Sequence, residues 1–197
     1  MKTLRKGILR TEAVELIAGV REGAISIVTM QPVAAWRAIG QNDNRNINLV
    51  GSMGSASALG LGLALAMPQE RVFVLDGDGS LVMQLGTLIS VGTLGLNNFV
   101  HFIFNNGIYQ TSGEQPVPGS QVADLAQIAL ASGYKTAVNI ESLEDATEVL
   151  RETLSLSGPI LINISISGQG TITNDGIYPP SKPLADQILL LRKSLNK

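Results

Sequence analysis

The chain has 197 residues, which fits one domain and is too short for two full ones. Apolar residues make up 45% and charged residues only 15%, well under the roughly 25% of an ordinary soluble domain. The net charge of −2 excludes a basic footprint for nucleic acid, and zero cysteines exclude a disulfide scaffold, a thiolate metal site and a cysteine nucleophile. His101 is the only histidine, so a multi-histidine metal site is excluded as well. Residues 1–23 carry mixed charges and no apolar signal-peptide core, so a cytoplasmic chain is expected.

The first elements in chain order are a helix over 11–20, a strand over 24–28, a helix over 32–39 and a strand over 47–50. A helix over 55–66 and a strand over 71–75 follow, then a long helix over 80–94 and a strand over 98–104. The last are a helix over 122–131, a strand over 134–138, a helix over 143–154, a strand over 160–164 and a helix over 183–195. Runs such as Val72 to Leu75 and Ile160 to Ile164 are continuously apolar or nearly so, as in parallel strands covered on both faces. This alternation predicts right-handed crossovers and an α/β fold, a doubly wound, mostly parallel sheet with helices on both faces. The chain reads as a single domain over 1–197. The stretch 168–183 reads as a surface loop, and with the last helix it forms an appendage that docks on the core or on a subunit.

The charge deficit is local. From Gly79 to Gly113, 35 residues contain no Asp, Glu, Lys or Arg. A membrane span needs about 20 mostly apolar residues in a row. Gln84, Asn97, Asn98, Asn105 and Asn106 interrupt every such window, so no membrane is expected. A segment buried on nearly all sides fits better. One domain of this size has too much surface for that, which points to a large subunit interface.

Three motifs fall at predicted strand ends, where open α/β sheets bind ligands. The run Asp76, Gly77, Asp78, Gly79, Ser80 leads from a strand into a helix. Its glycines permit a sharp turn and a close backbone approach, and the N–H groups of Gly79 and Ser80 suit a phosphate. Asp78 is a hard oxygen donor for a Mg²⁺ bridging to that phosphate. A plain turn with aspartate caps is the competing reading. An EF-hand is excluded, because its glycine position holds Leu81 and its twelfth position Thr87. Asn105, Asn106 and Gly107 follow the next strand, and adjacent parallel strands would set Asn106 beside Asp78. Gly51, Ser52, Met53 and Gly54 occupy a third strand end. The pair Gly60 and Gly62 suits close helix packing better than phosphate binding. His101 lies inside a strand and reads as buried or at an interface, Trp36 reads as core, and the Tyr109 side chain could face either way.

The first two motifs, with 25 residues between Gly79 and Asn105, resemble the cofactor-binding motif of the thiamine-diphosphate-dependent decarboxylase and acetolactate-synthase superfamily. The resemblance implies the thiamine-diphosphate-binding fold, with thiamine diphosphate and Mg²⁺ as cofactors. It implies metal ligation by Asp78, the Asn106 side chain and the Ile108 carbonyl, with Gly77, Gly79, Ser80 and Tyr109 also at the cofactor. It further implies that Gly51, Ser52 and Met53 grip the aminopyrimidine ring. The Gly51 carbonyl would face the exocyclic amine, and Met53 would force the cofactor to bend, which gives both a catalytic role. Across 11–140 the sequence is similar to the small subunits of sulfopyruvate decarboxylases and the C-terminal half of phosphonopyruvate decarboxylases. Glu114 and the Met30–Gln31 pair depart from the pattern of those families.

The resemblance implies a carboxy-lyase acting on a small 2-oxo acid, with Thr111, Ser112 and Gln115 as candidate substrate contacts. The glutamate that activates the aminopyrimidine has no matching position here. A pyrimidine-binding partner subunit is therefore expected to supply it, in a hetero-oligomer, with a homodimer in isolation as the other assembly. Carboligation, cofactor binding without turnover and Mg-dependent phosphate-ester chemistry are the competing functions.

Overall fold

The computed structural model describes residues 7–41, 43–167 and 182–195. Six strands form one parallel sheet: β1 (Ile25–Thr29), β2 (Asn46–Leu49), β3 (Val72–Gly77), β4 (Phe99–Asn105), β7 (Thr136–Ile140) and β8 (Ile160–Ser165). Their order is β2-β1-β3-β4-β8-β7. Every residue of β1, β3, β4 and β8 is buried, as their continuous apolar runs require. All six strands expected from the sequence are present, each shifted by at most two residues at either end.

Helices cover both faces. On one side α1 (Arg10–Gly19), α2 (Pro32–Ala38) and α7 (Ala146–Ser155) pack around Phe73, Phe102 and Phe104. On the other, α3 (Ala56–Ala66), α4 (Asp78–Met83), α5 (Thr87–Leu94), α6 (Leu125–Ala131) and α8 (Leu184–Leu195) pack around Val74, Phe99 and Ile103. The sheet turns in opposite directions from β1, which has β2 on one side and β3 on the other. That reversal opens a crevice at the carboxyl ends of β1 and β3.

Edge strand β2 is also fully buried, because α8 lies over it. The Gln187 side-chain oxygen accepts a hydrogen bond from the Asn48 N–H at 2.7 Å, and Leu191 is buried in the same contact. α8 therefore docks on the core, while Ile188 and Leu189 stay exposed. The surface loop expected over 168–183 lies almost wholly outside the described residues.

Three features differ from the sequence reading. The helix expected over 80–94 is two helices. Thr87 turns the chain by donating its N–H and hydroxyl to the Gln84 carbonyl, at 2.9 and 2.7 Å, and a new helix starts there. A short hairpin, β5 (Ile108–Tyr109) with β6 (Gln115–Pro116), adds two strands that the sequence does not predict. A 3-10 turn, Gln110–Ser112, joins them. Finally, Gly60 and Gly62 do different things. A Cβ on Gly60 would sit 2.3 Å from Val74, so Gly60 sets how closely α3 lies on the sheet, whereas Gly62 faces open space.

Within one chain the burial expected across 79–113 is partial. β4 is buried throughout, but Met83, Ile89 and Leu94 are exposed, as is Leu65 on neighbouring α3. No helix among the described residues is long and apolar enough to cross a membrane.

Candidate functional site

The three motifs converge at the carboxyl end of the sheet, after β2, β3 and β4. β3 and β4 are in parallel register, with Gly77 opposite Phe104, so the turns that follow them emerge side by side. Asp78 is 3% exposed and opens α4. Its carboxylate accepts a hydrogen bond from the Gly107 N–H at 2.8 Å, which ties the first motif to the second. The Asn106 side-chain oxygen accepts from the Ile108 N–H at 3.1 Å. Asn105, although adjacent, points elsewhere. It donates to the Asn163 side chain on β8 at 3.1 Å and so braces the sheet.

The third motif joins through Ser80, whose hydroxyl accepts from the Gly54 N–H at 2.9 Å. Gly51 and Gly54 both have φ of +79°, a conformation that favours glycine. At Gly54 the space is also closed, since a Cβ would lie 2.7 Å from the Gln84 side chain. The Tyr109 ring lies against Gly79, where a Cβ would approach within 2.4 Å, so the open question about Tyr109 resolves toward the site.

These contacts border a shallow cleft that is open to solvent. Met53, Gly77, Asp78, Gly79, Ser80, Ile108, Tyr109, Thr111 and Ser112 line it. Gly51 and Ser52 lie on the adjoining turn outside that lining, as does Asn106, which is buried behind it. Gln115 sits exposed on β6, away from the lining. Glu114 is also exposed in the hairpin turn and does not line the cleft.

Met30, Gln31 and Gln110 line the cleft too, although nothing in the sequence assigns them a role there. Met30 has φ of +56° at the first strand-to-helix turn, a strained conformation for a non-glycine residue. Gln31 and Gln110 meet at the guanidinium of Arg10, whose Nη2 donates to Gln110 Oε1 at 2.7 Å and to Gln31 Oε1 at 3.3 Å. Burial of Arg10 lowers its pKa from the ordinary value.

Behind the site lies a second polar group. Asp76 and His101 are both fully buried, with His101 Nε2 3.4 Å from Asp76 Oδ2 and Nδ1 3.5 Å from the Tyr134 hydroxyl. Burial, with the Asp76 charge nearby, raises the Tyr134 pKa, so the phenol stays protonated. Asp76 also accepts from the Gly77 N–H at 2.9 Å and so steadies the start of the first motif.

Among the described residues no group of three or more His, Cys, Asp or Glu forms a metal site. The donors brought together are instead one carboxylate, one amide oxygen and backbone groups, which suit a Mg²⁺ that keeps ligands from a bound phosphate.

The model of the family "Thiamine pyrophosphate enzyme, C-terminal TPP binding domain" matches residues 28–164. Phosphonopyruvate decarboxylase of Streptomyces viridochromogenes is 40% identical over 123 residues, which are 62% of this chain and 30% of that protein. Sulfopyruvate decarboxylase subunit beta of Methanothermobacter thermautotrophicus is 32% identical over 157 residues, 80% of this chain and 81% of that subunit. In fold, the chain is similar to the thiamine diphosphate-dependent 4-hydroxybenzoylformate decarboxylase of Rhodococcus jostii RHA1. The TM-score is 0.66 at 22% identity, over 83% of this chain and 33% of that one. The alignment thus spans under a third of the length of the phosphonopyruvate decarboxylase, but most of the sulfopyruvate decarboxylase beta subunit. On these grounds the chain belongs to the C-terminal, thiamine-pyrophosphate-binding domain family of the thiamine pyrophosphate enzymes.

Proposed function

We propose that the chain holds the diphosphate end of thiamine diphosphate, with Mg²⁺, in a decarboxylase of small 2-oxo acids, and that it acts with a pyrimidine-binding partner subunit. The observation that most supports this reading is the 2.8 Å bond between the Gly107 N–H and the Asp78 carboxylate, because it joins the two halves of the motif in one cleft. In this reading Asp78, the Asn106 side-chain oxygen and the Ile108 carbonyl hold Mg²⁺, and the N–H groups of Gly79 and Ser80 bind diphosphate. Gly79 also lets the backbone come close, since a Cβ there would run into the Tyr109 ring and crowd Val117.

When bound, thiamine diphosphate supplies the electron sink that lets a 2-oxo acid lose carbon dioxide. The chain's own part is to orient and to exclude water. In this reading Met53 would press on the bound cofactor from the cleft wall, and the Gly51 carbonyl would accept a hydrogen bond from its exocyclic amine. Met30, Met53 and Ile108 give the cleft an apolar wall, which disfavours a charged carboxylate and so favours its loss. Thr111 and Ser112 offer hydroxyls to the substrate.

The substrates named for the relatives, phosphonopyruvate and sulfopyruvate, are 2-oxo acids with a second anionic group. A substrate of that class needs a cation, yet no lysine or arginine lines the cleft among the described residues. In this reading the partner supplies the activating glutamate and contributes to holding that second anionic group. Ala58, Gly62 and Leu65 of α3, with Ile89 and Leu94 of α5, form an uncharged exposed face fit for such a partner.

The test is to purify the chain alone and with the product of a neighbouring gene, then add thiamine diphosphate, Mg²⁺ and either 3-phosphono- or 3-sulfopyruvate. Carbon dioxide release from the pair but not from the chain alone is expected. Condensed products would favour carboligation instead, and phosphate release without thiamine diphosphate would overturn the reading.

A further inference from the structure

An asparagine amide has one end that can bind a cation and one that cannot. Asn106 is useful to a metal only if something keeps its oxygen, rather than its NH₂ group, toward the site. We propose that Arg10 is a positioning residue for the metal site, acting through Gln110 to fix the orientation of the Asn106 amide. This inference rests on the reading of Asp78 and Asn106 as Mg²⁺ ligands.

A guanidinium has only donors, so the Gln110 atom 2.7 Å from Arg10 Nη2 must be its oxygen. That same Gln110 Oε1 lies 3.5 Å from Asn106 Nδ2, which donates to it. With its NH₂ group turned to Gln110, Asn106 presents its oxygen to the opposite side, where it accepts from the Ile108 N–H. Arg10 thus reinforces, through Gln110, the amide orientation that the Ile108 N–H also selects. Gln31 Oε1, 3.3 Å from the same Nη2, ties the relay to the turn after β1.

A second observation separates this role from a structural one. Among the described residues no carboxylate pairs with Arg10, and its Nε is buried without a hydrogen-bond partner. Among the described residues only neutral amides hold this partly buried cation, an arrangement that costs the cofactor-free fold desolvation energy. Replacing it with an apolar side chain of similar length should therefore leave that fold as stable as before, or more so. If Arg10→Met keeps the cofactor-free fold intact while ligand binding weakens, the site explains Arg10 better than the fold does.

The test uses the full chain and two readouts: calorimetric titration of thiamine diphosphate at a series of Mg²⁺ concentrations, and thermal melting without either compound. Arg10→Met and Gln110→Leu should each raise the Mg²⁺ needed for half-saturation by about ten- to a hundredfold. The double variant should be no worse than the weaker-binding single one, because both break one relay. Arg10→Lys, still a pure donor, should recover part of the loss. The melting temperature of Arg10→Met without ligand should not fall. Unchanged Mg²⁺ dependence, additive losses in the double variant, or a melting temperature that falls in step with affinity would each overturn the relay. If the wild-type chain itself bound thiamine diphosphate without regard to Mg²⁺, the metal-site reading would fail, and the relay with it.

Discussion

Met53 reaches the cleft from the turn after β2 and shares its lining with the backbone of the first motif and Ile108. It is only partly buried, so its bulk serves the shape of the cleft more than the core. Met53→Ala should therefore leave thermal stability nearly unchanged and slow exchange of the C2 proton of bound thiamine diphosphate, as followed by NMR. An unaltered exchange rate would remove the role given to Met53. At this scale the sequence is informative where chemistry resides in the backbone. Glycines and short polar residues at a strand end announce themselves, and the runs at 51–54, 76–80 and 105–107 do so. Tyr109 is not legible, because its direction depends on a hairpin whose strands are two residues each and carry no periodicity. Arg10 is not legible either, since its partners Gln31 and Gln110 lie 21 and 100 residues away.

Among the elements, α3 shows how one sequence pattern can hide two roles. Gly60 and Gly62 look alike in sequence, but only Gly60 faces the sheet, where Val74, Phe99 and Ile27 would all lie within 3.3 Å of an added Cβ. Gly60→Ala should cost about 1–3 kcal/mol of stability by forcing α3 off the sheet. Gly62→Ala should stabilise by up to about 1 kcal/mol, because a helical glycine there wastes backbone entropy. Urea unfolding of the two variants would check both signs. β3 and β8 are legible because burial on both faces demands nearly unbroken apolar runs. The break between α4 and α5 is hidden, because the sequence from 80 to 94 has no proline and keeps an apolar pattern throughout. The turn at Thr87 arises from a local side-chain bond to the Gln84 carbonyl. The break is also what sets Gln84 against Gly54, so it helps position the third motif.

At the scale of the whole molecule, the missing charge between 79 and 113 has two explanations that the structure separates. β4 lacks charge because it is buried in its own sheet, whereas the outer side of α5 lacks charge although it is exposed. Only the second calls for a partner. Ile89, 61% exposed, is the most exposed large apolar residue of that face, so Ile89→Asp should leave the chain folded but abolish assembly with its partner. Sedimentation of the mixed subunits would read this, and assembly at wild-type strength would move the partner to another surface.

The account depends most on the carboxylate of Asp78 acting as a metal ligand, and calorimetric titration of thiamine diphosphate with and without Mg²⁺ tests this most directly. In Asp78→Asn the side-chain oxygen can still accept from the Gly107 N–H, so the turn is kept while the charge is lost. The wild type should bind far more tightly with Mg²⁺ than without it, and Asp78→Asn should lose that difference. Equal affinity and equal Mg²⁺ dependence in the two proteins would contradict the account.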